Sequence, residues 1–516
     1  MLRVFRRKHR LHRSRGGRRR VSVRRGVGIL ALAALLSGCG DGGSGGGGAT
    51  GSTPTPTSTA TPTPTASNGC SLRSRQDWVL AQMKEWYLFY DTLPNSLDPS
   101  GYTNVDDYLD ALTATARAQR KDRYFTYLTS IQQETAYYSQ GSSAGFGWRL
   151  GLDSTGRLYV TEAYESAPAL NAGIDRGAEI LAIGTSSSNL QTVSSLYNAG
   201  GSALSDSLGP STTGTQRYFQ IRDASGTRTV AVTKTDFTLS PVSNRYGVKI
   251  ITDNGQRYGY VNLRTFITTA NDQLRSAFAQ FKAAGITNVV VDLRYNGGGL
   301  IDTAVVMSNL LGGNRATTDV MSYMTFRPEK ASENTTYLFQ SEPNAIAATK
   351  IAFIGTGSTA SASEFVINAF VPYLGANDGL IGGNTYGKPV GQIALDQKSC
   401  DDRLRVIAFA LQNAARQGAY YNGLASTMVS TCQAGDDISY PMGDAREAST
   451  RAALDFLQGK SCTRIAASAS ASANAGSGTG PLATRTSMLT DVPEREALMP
   501  PAERRTPAQR EVPGLY

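Results

Sequence analysis

The sequence predicts a multidomain α+β chain with three folded parts: a helical N-terminal region, a small β-rich domain and an α/β core. Three observations carry that expectation. Residues 71 to about 135 repeat apolar positions at helical spacing; from about 144 to 236 short strand-like runs alternate with Gly and Ser turns; from about 245 to 395 strand-like and helix-like segments take turns along the chain.

Taken in order, residues 1–38 read as a targeting segment. The first 25 residues hold twelve Arg or Lys and no acid, and the apolar run Gly26 to Leu36 is eleven residues long. That is well short of the roughly 18 residues needed to span a bilayer, so a signal peptide is expected rather than a membrane helix. The run closes in Leu36-Ser37-Gly38-Cys39, which resembles the lipobox of bacterial lipoproteins and marks Cys39 as the lipidated residue. Residues 39–69, "CGDGGSGGGGATGSTPTPTSTATPTPTASNG", have too little apolar bulk for a core and read as a tether. The expected location is therefore the cell envelope, anchored by lipid to the outer membrane and facing the periplasm.

Residues 70–138 form the helical part, with Trp78, Met83, Trp86 and Tyr87 on one stripe and a second amphipathic stretch from Tyr108 to Ala118. Residues 139–238 form the β-rich domain, with strands in "RLYVTEA", "EILAIG", "RYFQIRD" and "RTVAVTK". Residues 239–462 form the core. Its strands lie in "YGYVNL", "NVVVDLR" and "KIAFIG", and its helices in "NDQLRSAFAQFKAAG", Asp302 to Leu311 and the segment after "STASAS". Residues 463–516 open with "TRIAASASASANAGSGTG", are small, polar and Pro-rich, and are expected to be disordered.

Composition excludes several functions. Formal charge is +10, but subtracting the twelve basic residues of the targeting segment leaves 39 bases against 41 acids, about −2, so nucleic-acid binding loses its support. Both histidines, His9 and His12, lie in the targeting segment. A Ser-His-Asp triad, a Cys-His dyad and a His-ligated zinc are thereby excluded, and no metal or organic cofactor is implied. No Ser-x-x-Lys occurs, which argues against the β-lactamase class. Besides Cys39 there are four cysteines, Cys70, Cys400, Cys432 and Cys462, in a chain bound for an oxidising compartment. Three pairings are possible. Cys400 with Cys432 would close a loop of about 33 residues around the strand-like "LRVIAFAL" and leave Cys70 for Cys462.

The chemistry concentrates in "STASASEFVINAF", residues 358–370. Ser361 with Glu364 three residues on is a capping-box pattern; a serine there also lies beside the unpaired N–H groups of a helix start, where an oxyanion is stabilised. With histidine excluded, a nucleophilic serine needs a lysine or carboxylate base. Ser361 and Ser363 would point about 200° apart on a helix, so only one can face that base.

"VVVDLRYNGGGLID" (289–302), "STASASEF" (358–365) and "TYGKPVGQ" (385–392) resemble, in order, motifs of the C-terminal processing, or tail-specific, serine peptidases, and "ESAPALNAGIDRGAEILAIG" (165–184) looks like the PDZ domain those enzymes carry. The resemblance covers roughly residues 75 to 460. It implies a PDZ-like domain at 139–238, a crotonase-like α/β core, and a serine endopeptidase with Ser361 as nucleophile, Lys388 as base and Gln392 orienting the lysine. The 27 residues from Ser361 to Lys388 exceed the spacing the resemblance leads one to expect, which places an enlarged loop near "LGANDG". Ala362 and Gly298 are the expected oxyanion donors, and Gly145, Phe146 and Gly147 the loop that would hold a substrate carboxylate. Substrates would be proteins or peptides with apolar C-termini, captured by strand addition. A lysine base active near pH 7 must be shifted down by about three units from 10.4, roughly 4 kcal/mol, which burial can supply. A catalytically silent tail-binding protein and a crotonase-like acyl hydrolase are the alternatives.

Overall fold

The computed structural model describes residues 69–466, 488–489 and 498–516. The expected signal segment, Cys39 and nearly all of the tether lie outside the described residues.

The helical region comprises α1 (Leu72–Trp86), α2 (Val105–Leu112), α3 (Ala114–Ala118), the strand β1 (Tyr127–Ser130) and α4 (Ile131–Gln140). Ser71, Asn104 and Ser130 cap α1, α2 and α4 through their side chains, and Gly141 ends α4 in the left-handed conformation. This region shares its apolar cluster with the core. Val79, Met83, Tyr87, Tyr108 and Leu112 pack with Val390, Leu404, Val406 and Ile407 of the core, and β1 is hydrogen-bonded to a core strand.

The β-rich domain holds β2 (Ser142–Gly145), β3 (Trp148–Asp153), β4 (Leu158–Ala163), α5 (Pro168–Asn171), β5 (Glu179–Gly184), β6 (Gln191–Thr192), α6 (Val193–Ala199), α7 (Ala203–Ser207), β7 (Gln216–Asp223), β8 (Gly226–Thr233) and β9 (Thr235–Thr238). Its main sheet runs β3-β4-β5-β7-β8. The chain enters on β2 and leaves on β9, which pair antiparallel from Ser142–Thr238 to Gly145–Thr235, so one zipped neck bounds the domain.

The core contains β10 (Lys249–Asp253), β11 (Gln256–Asn262), α8 (Ala270–Ala283), β12 (Asn288–Asp292), α9 (Ile301–Leu311), β13 (Val320–Phe326), β14 (Thr335–Leu338), β15 (Lys350–Gly355), α10 (Ala362–Leu374), β16 (Asp378–Gly382), β17 (Val390–Gln397), β18 (Asp402–Gln412), β19 (Ser430–Gln433) and α11 (Ala448–Leu457). Six strands run β10-β11-β12-β15-β16-β19, parallel from β11 onward. Strand alternation sorts the buried valines: Val289 and Val291 pack among α8, α9 and α10, while Val290 joins α11 on the other face. A second sheet orders β1-β18-β13-β14, with β17 on the other edge of β18; "LRVIAFAL" lies in its central strand.

Two expectations are corrected. The disulfides are Cys70–Cys400 and Cys432–Cys462, not Cys400–Cys432 and Cys70–Cys462. Cys432 lies on β19 at a sheet edge, and residues 462–465 run beside that strand, with the Gln433 N–H bonded to the Thr463 carbonyl at 2.7 Å. Cys400, in the turn between β17 and β18, faces the start of α1. Nor is the whole of 463–516 disordered. Met488–Leu489 form β20, which pairs with β3, and Pro507–Glu511 form α12, capped by Thr506. Leu498, Ala508, Val512, Leu515 and Tyr516 are all buried. Leu498 and Tyr516 join the core of the β-rich domain, while Ala508, Val512 and Leu515 pack with Tyr137, Tyr164 and Ile267.

Candidate active site

Three turns meet at the carboxyl ends of adjacent parallel strands, the usual place for a site in an α/β sheet. β12 runs into the glycine turn 293–300, β15 into 356–361 and α10, and β16 into 383–389. The glycine turn hangs from a fully buried arginine: Arg294 pairs with Asp292 at 2.8 Å, Asp436 at 2.9 Å and Glu447 at 2.9 Å. Asn296 then stitches the turns together. Its carbonyl accepts from the Ala360 N–H at 3.1 Å and from the Ser363 hydroxyl at 3.0 Å. Ser363 is therefore a buried strut, and Ser361 is the half-buried serine of the pair.

Ser361 precedes α10 with φ of 56°, a left-handed conformation rare for a residue with a β-carbon. Glu364 is wholly buried and holds this geometry. Its carboxylate accepts from the N–H groups of Ser361 at 3.0 Å, Lys388 at 2.7 Å and Gly387 at 2.7 Å, and from the Thr385 hydroxyl at 2.6 Å. The Glu364 carboxylate thereby closes the capping box on the Ser361 N–H. Burial pushes the Glu364 carboxyl up, against the four donors. The sequence showed Glu364 only as a cap; its bond to the Lys388 backbone had no signal there.

Lys388 is buried, with its ammonium 5.0 Å from the centre of the Phe125 ring and donating to Gln392 Oε1 at 2.7 Å. Gln392 in turn donates to the Phe125 carbonyl. Burial lowers the lysine, and the carboxylates of Glu511 and Asp122 oppose that shift. Gly387 supports the loop at φ of 89°, where a β-carbon would lie 2.5 Å from the Tyr421 carbonyl oxygen. Arg123 donates to the Tyr386 and Gly387 carbonyls, each at 2.6 Å. Phe125 and Arg123 come from the helical region and were not foreseen; nothing in their spacing marks them.

Ala362 is the first residue of α10, whose N–H has no acceptor within the helix. Gly298 lies against it: a β-carbon there would come within 2.8 Å of Ser361 Cβ and 3.2 Å of Ala362 N. The Gly298 N–H itself is bonded to Asn296 Oδ1 at 2.9 Å. The glycine-turn donor that enters the cleft is Gly297, at 2.8 Å from the Glu511 carbonyl. The adjoining cavity of about 340 Å³ has Gly297, Ala360 and Lys388 on one side and Arg505, Arg510 and Glu511 on the other. In the β-rich domain, Gly147 and Trp148 donate to the Tyr516 main-chain oxygen at 2.8 and 3.2 Å, while Phe146 is fully buried.

The sequence model of peptidase family S41 matches residues 257–419, and that of the peptidase S41 N-terminal domain matches residues 74–127. Those two stretches of the chain are therefore similar in sequence to peptidase family S41. It is 28% identical over 282 residues to the chloroplastic C-terminal processing peptidase of Tetradesmus obliquus, covering 52% of this chain and 55% of that one. It is 27% identical over 177 residues to the carboxyl-terminal-processing protease of Picosynechococcus sp., covering 33% and 39%. The chain thus matches about half or less of those two relatives' own length. A solved S41 protease structure from Bacteroides fragilis shares the fold, with a TM-score of 0.58 and 22% identity over 74% of this chain and 97% of that one.

Proposed function

We propose that the chain is a serine endopeptidase of Ser-Lys type. The observation that carries this reading is the Glu364 carboxylate, which binds the Ser361 and Lys388 backbones at 3.0 and 2.7 Å and so fixes the two side chains' origins relative to each other. Neutral Lys388 takes the proton of the Ser361 hydroxyl as its oxygen attacks a peptide carbonyl. The tetrahedral oxyanion is held by the Ala362 N–H and by a donor of the glycine turn beside it, where the Gly297 N–H faces the cleft while the Gly298 N–H is held by Asn296. The lysine ammonium then gives its proton to the departing amine, and water repeats the sequence on the acyl-enzyme. Gln392, a neutral acceptor, orients the lysine without a carboxylate that would keep it charged.

In this reading the β-rich domain is PDZ-like and captures apolar C-termini by strand addition on β3, with Gly145, Phe146 and Gly147 at the carboxylate. Lipidated Cys39 anchors the enzyme in the envelope, where its substrates are proteins. Turnover of an unfolded protein by the intact chain, lost in Ser361→Ala, is the expected result; equal turnover by both would remove Ser361 as nucleophile.

A further inference from the structure

The edge of β3 that faces away from β4 is already filled, by this chain itself. Tyr516 N–H donates to the Trp148 carbonyl at 2.9 Å, Gly147 and Trp148 N–H groups return to Tyr516, and Leu150 N–H donates to the Gly514 carbonyl at 2.9 Å. Further along the edge, Met488 and Leu489 pair with Asp153 and Leu152. The Tyr516 ring is 2% exposed, packs with Phe146 and Trp148, and donates its hydroxyl to the Leu498 carbonyl at 2.7 Å. Gly514 sits at φ of 86°, where a β-carbon would be 2.4 Å from the Leu150 carbonyl oxygen. The register thus asks for glycine, then an aliphatic residue, then an aromatic one.

Three residues before Gly514, the same segment reaches the cleft. Pro507–Glu511 arrive as a helix end, with the Glu511 carbonyl on the Gly297 N–H and its buried carboxylate accepting from the Tyr138 hydroxyl at 2.7 Å. The helix end walls off the cleft across the cavity from Lys388 without laying an extended chain across it.

We propose that residues 498–516 are a resident peptide ligand that blocks both the β3 groove and the catalytic cleft in the same molecule, and that a competing peptide of small-aliphatic-aromatic chemistry must displace it before substrate enters. This rests on the peptidase reading for its consequence, but the binding claim stands apart from catalysis. A tether presents its ligand at an effective concentration on the order of millimolar, so a free peptide with a Kd of about ten micromolar should bind the intact chain roughly a hundredfold more weakly than a chain without the segment.

The test uses a fluorescent peptide of residues 507–516 and three chains in the Ser361→Ala background: intact, stopped after Ala466, and Gly514→Val. The expected result is tight binding by the last two and weak binding by the first; the point variant keeps the test decisive if the shortened chain misfolds. With Ser361 restored, both should turn over an unfolded reporter at least tenfold faster than the intact chain. Equal peptide binding by all three would overturn the proposal. An intact chain that is dimeric and becomes monomeric on shortening would overturn the intramolecular assignment, because the segment would then be exchanged between copies. If none of the chains with Ser361 turns over the reporter, the peptidase reading fails, and the peptide-binding comparison still decides this inference.

Discussion

At the scale of residues, the proposed mechanism requires Lys388 to be uncharged and Ser361 to keep its left-handed backbone conformation. Lys388 is a base only when neutral, so kcat/KM should rise with pH through its depressed pKa and level off above it. Glu511 favours the charged form in the free enzyme; Glu511→Gln should therefore move that rise to lower pH, as read from kcat/KM profiles. Lys388→Ala should leave no more than about a thousandth of the activity, and Lys388→Arg should not rescue it, since a guanidinium stays protonated. Gln392→Ala should be milder. Glu364→Gln replaces one acceptor oxygen by a donor facing backbone N–H groups. It should lower kcat more than it changes KM and cost about 1 to 3 kcal/mol in urea unfolding; an unchanged midpoint with unchanged kcat would show that the bracket is not needed.

At the scale of elements, what the sequence revealed was what its local patterns encode. The helix of Asp302 to Leu311, the buried strand "NVVVD" and the start of α10 all follow from apolar runs, caps and turn residues. Ser361 and Lys388 were named from the motif order through the resemblance, and the structure brings both of their backbone N–H groups onto the Glu364 carboxylate. Arg123 and Phe125 were not legible, because each acts through a contact more than 260 residues away, and neither were the bonds from Glu364 to the 385–388 turn, which no local pattern encodes. The cysteines show the same limit: the rejected pairing closes 32 residues and the observed Cys432–Cys462 pairing 30, so loop length could not choose between them. The sheet edge does. Peptide mapping without reduction should recover Cys70–Cys400 and Cys432–Cys462, and Cys432→Ala with Cys462→Ala should lower stability by roughly 3 to 4 kcal/mol on the chain-entropy account. Recovery of a Cys400–Cys432 peptide would reject the topology around β19.

At the scale of the whole molecule, the β-rich domain is joined to the core by buried charge as well as by its neck. Arg264 of the core meets Glu162 of β4 at 2.7 Å and Glu165 at 2.8 Å, and Arg176 of the β-rich domain meets Asp436 of the core at 2.7 Å. Composition gave the number of charges but not that these would be desolvated at one joint. Glu162 shows what this costs: burial raises its carboxyl, and Arg264 holds it down. Arg264→Met removes the opposing charge and leaves a buried carboxylate, a change that typically costs about 3 to 5 kcal/mol. The sign with pH follows from linkage. The stranded carboxyl has a folded pKa above its unfolded value of about 4.3, so the folded state binds the extra proton between the two, and stability falls as pH rises through that window. The variant should therefore lose less stability at pH 5 than at pH 7, measured as urea midpoints against the intact chain. Adding Glu162→Gln should remove most of that pH dependence, because the group that titrates is gone. A penalty equal at both pH values would mean that Arg264 acts through packing and its bonds to Ser240 and Ser243, and that the joint is not held by charge.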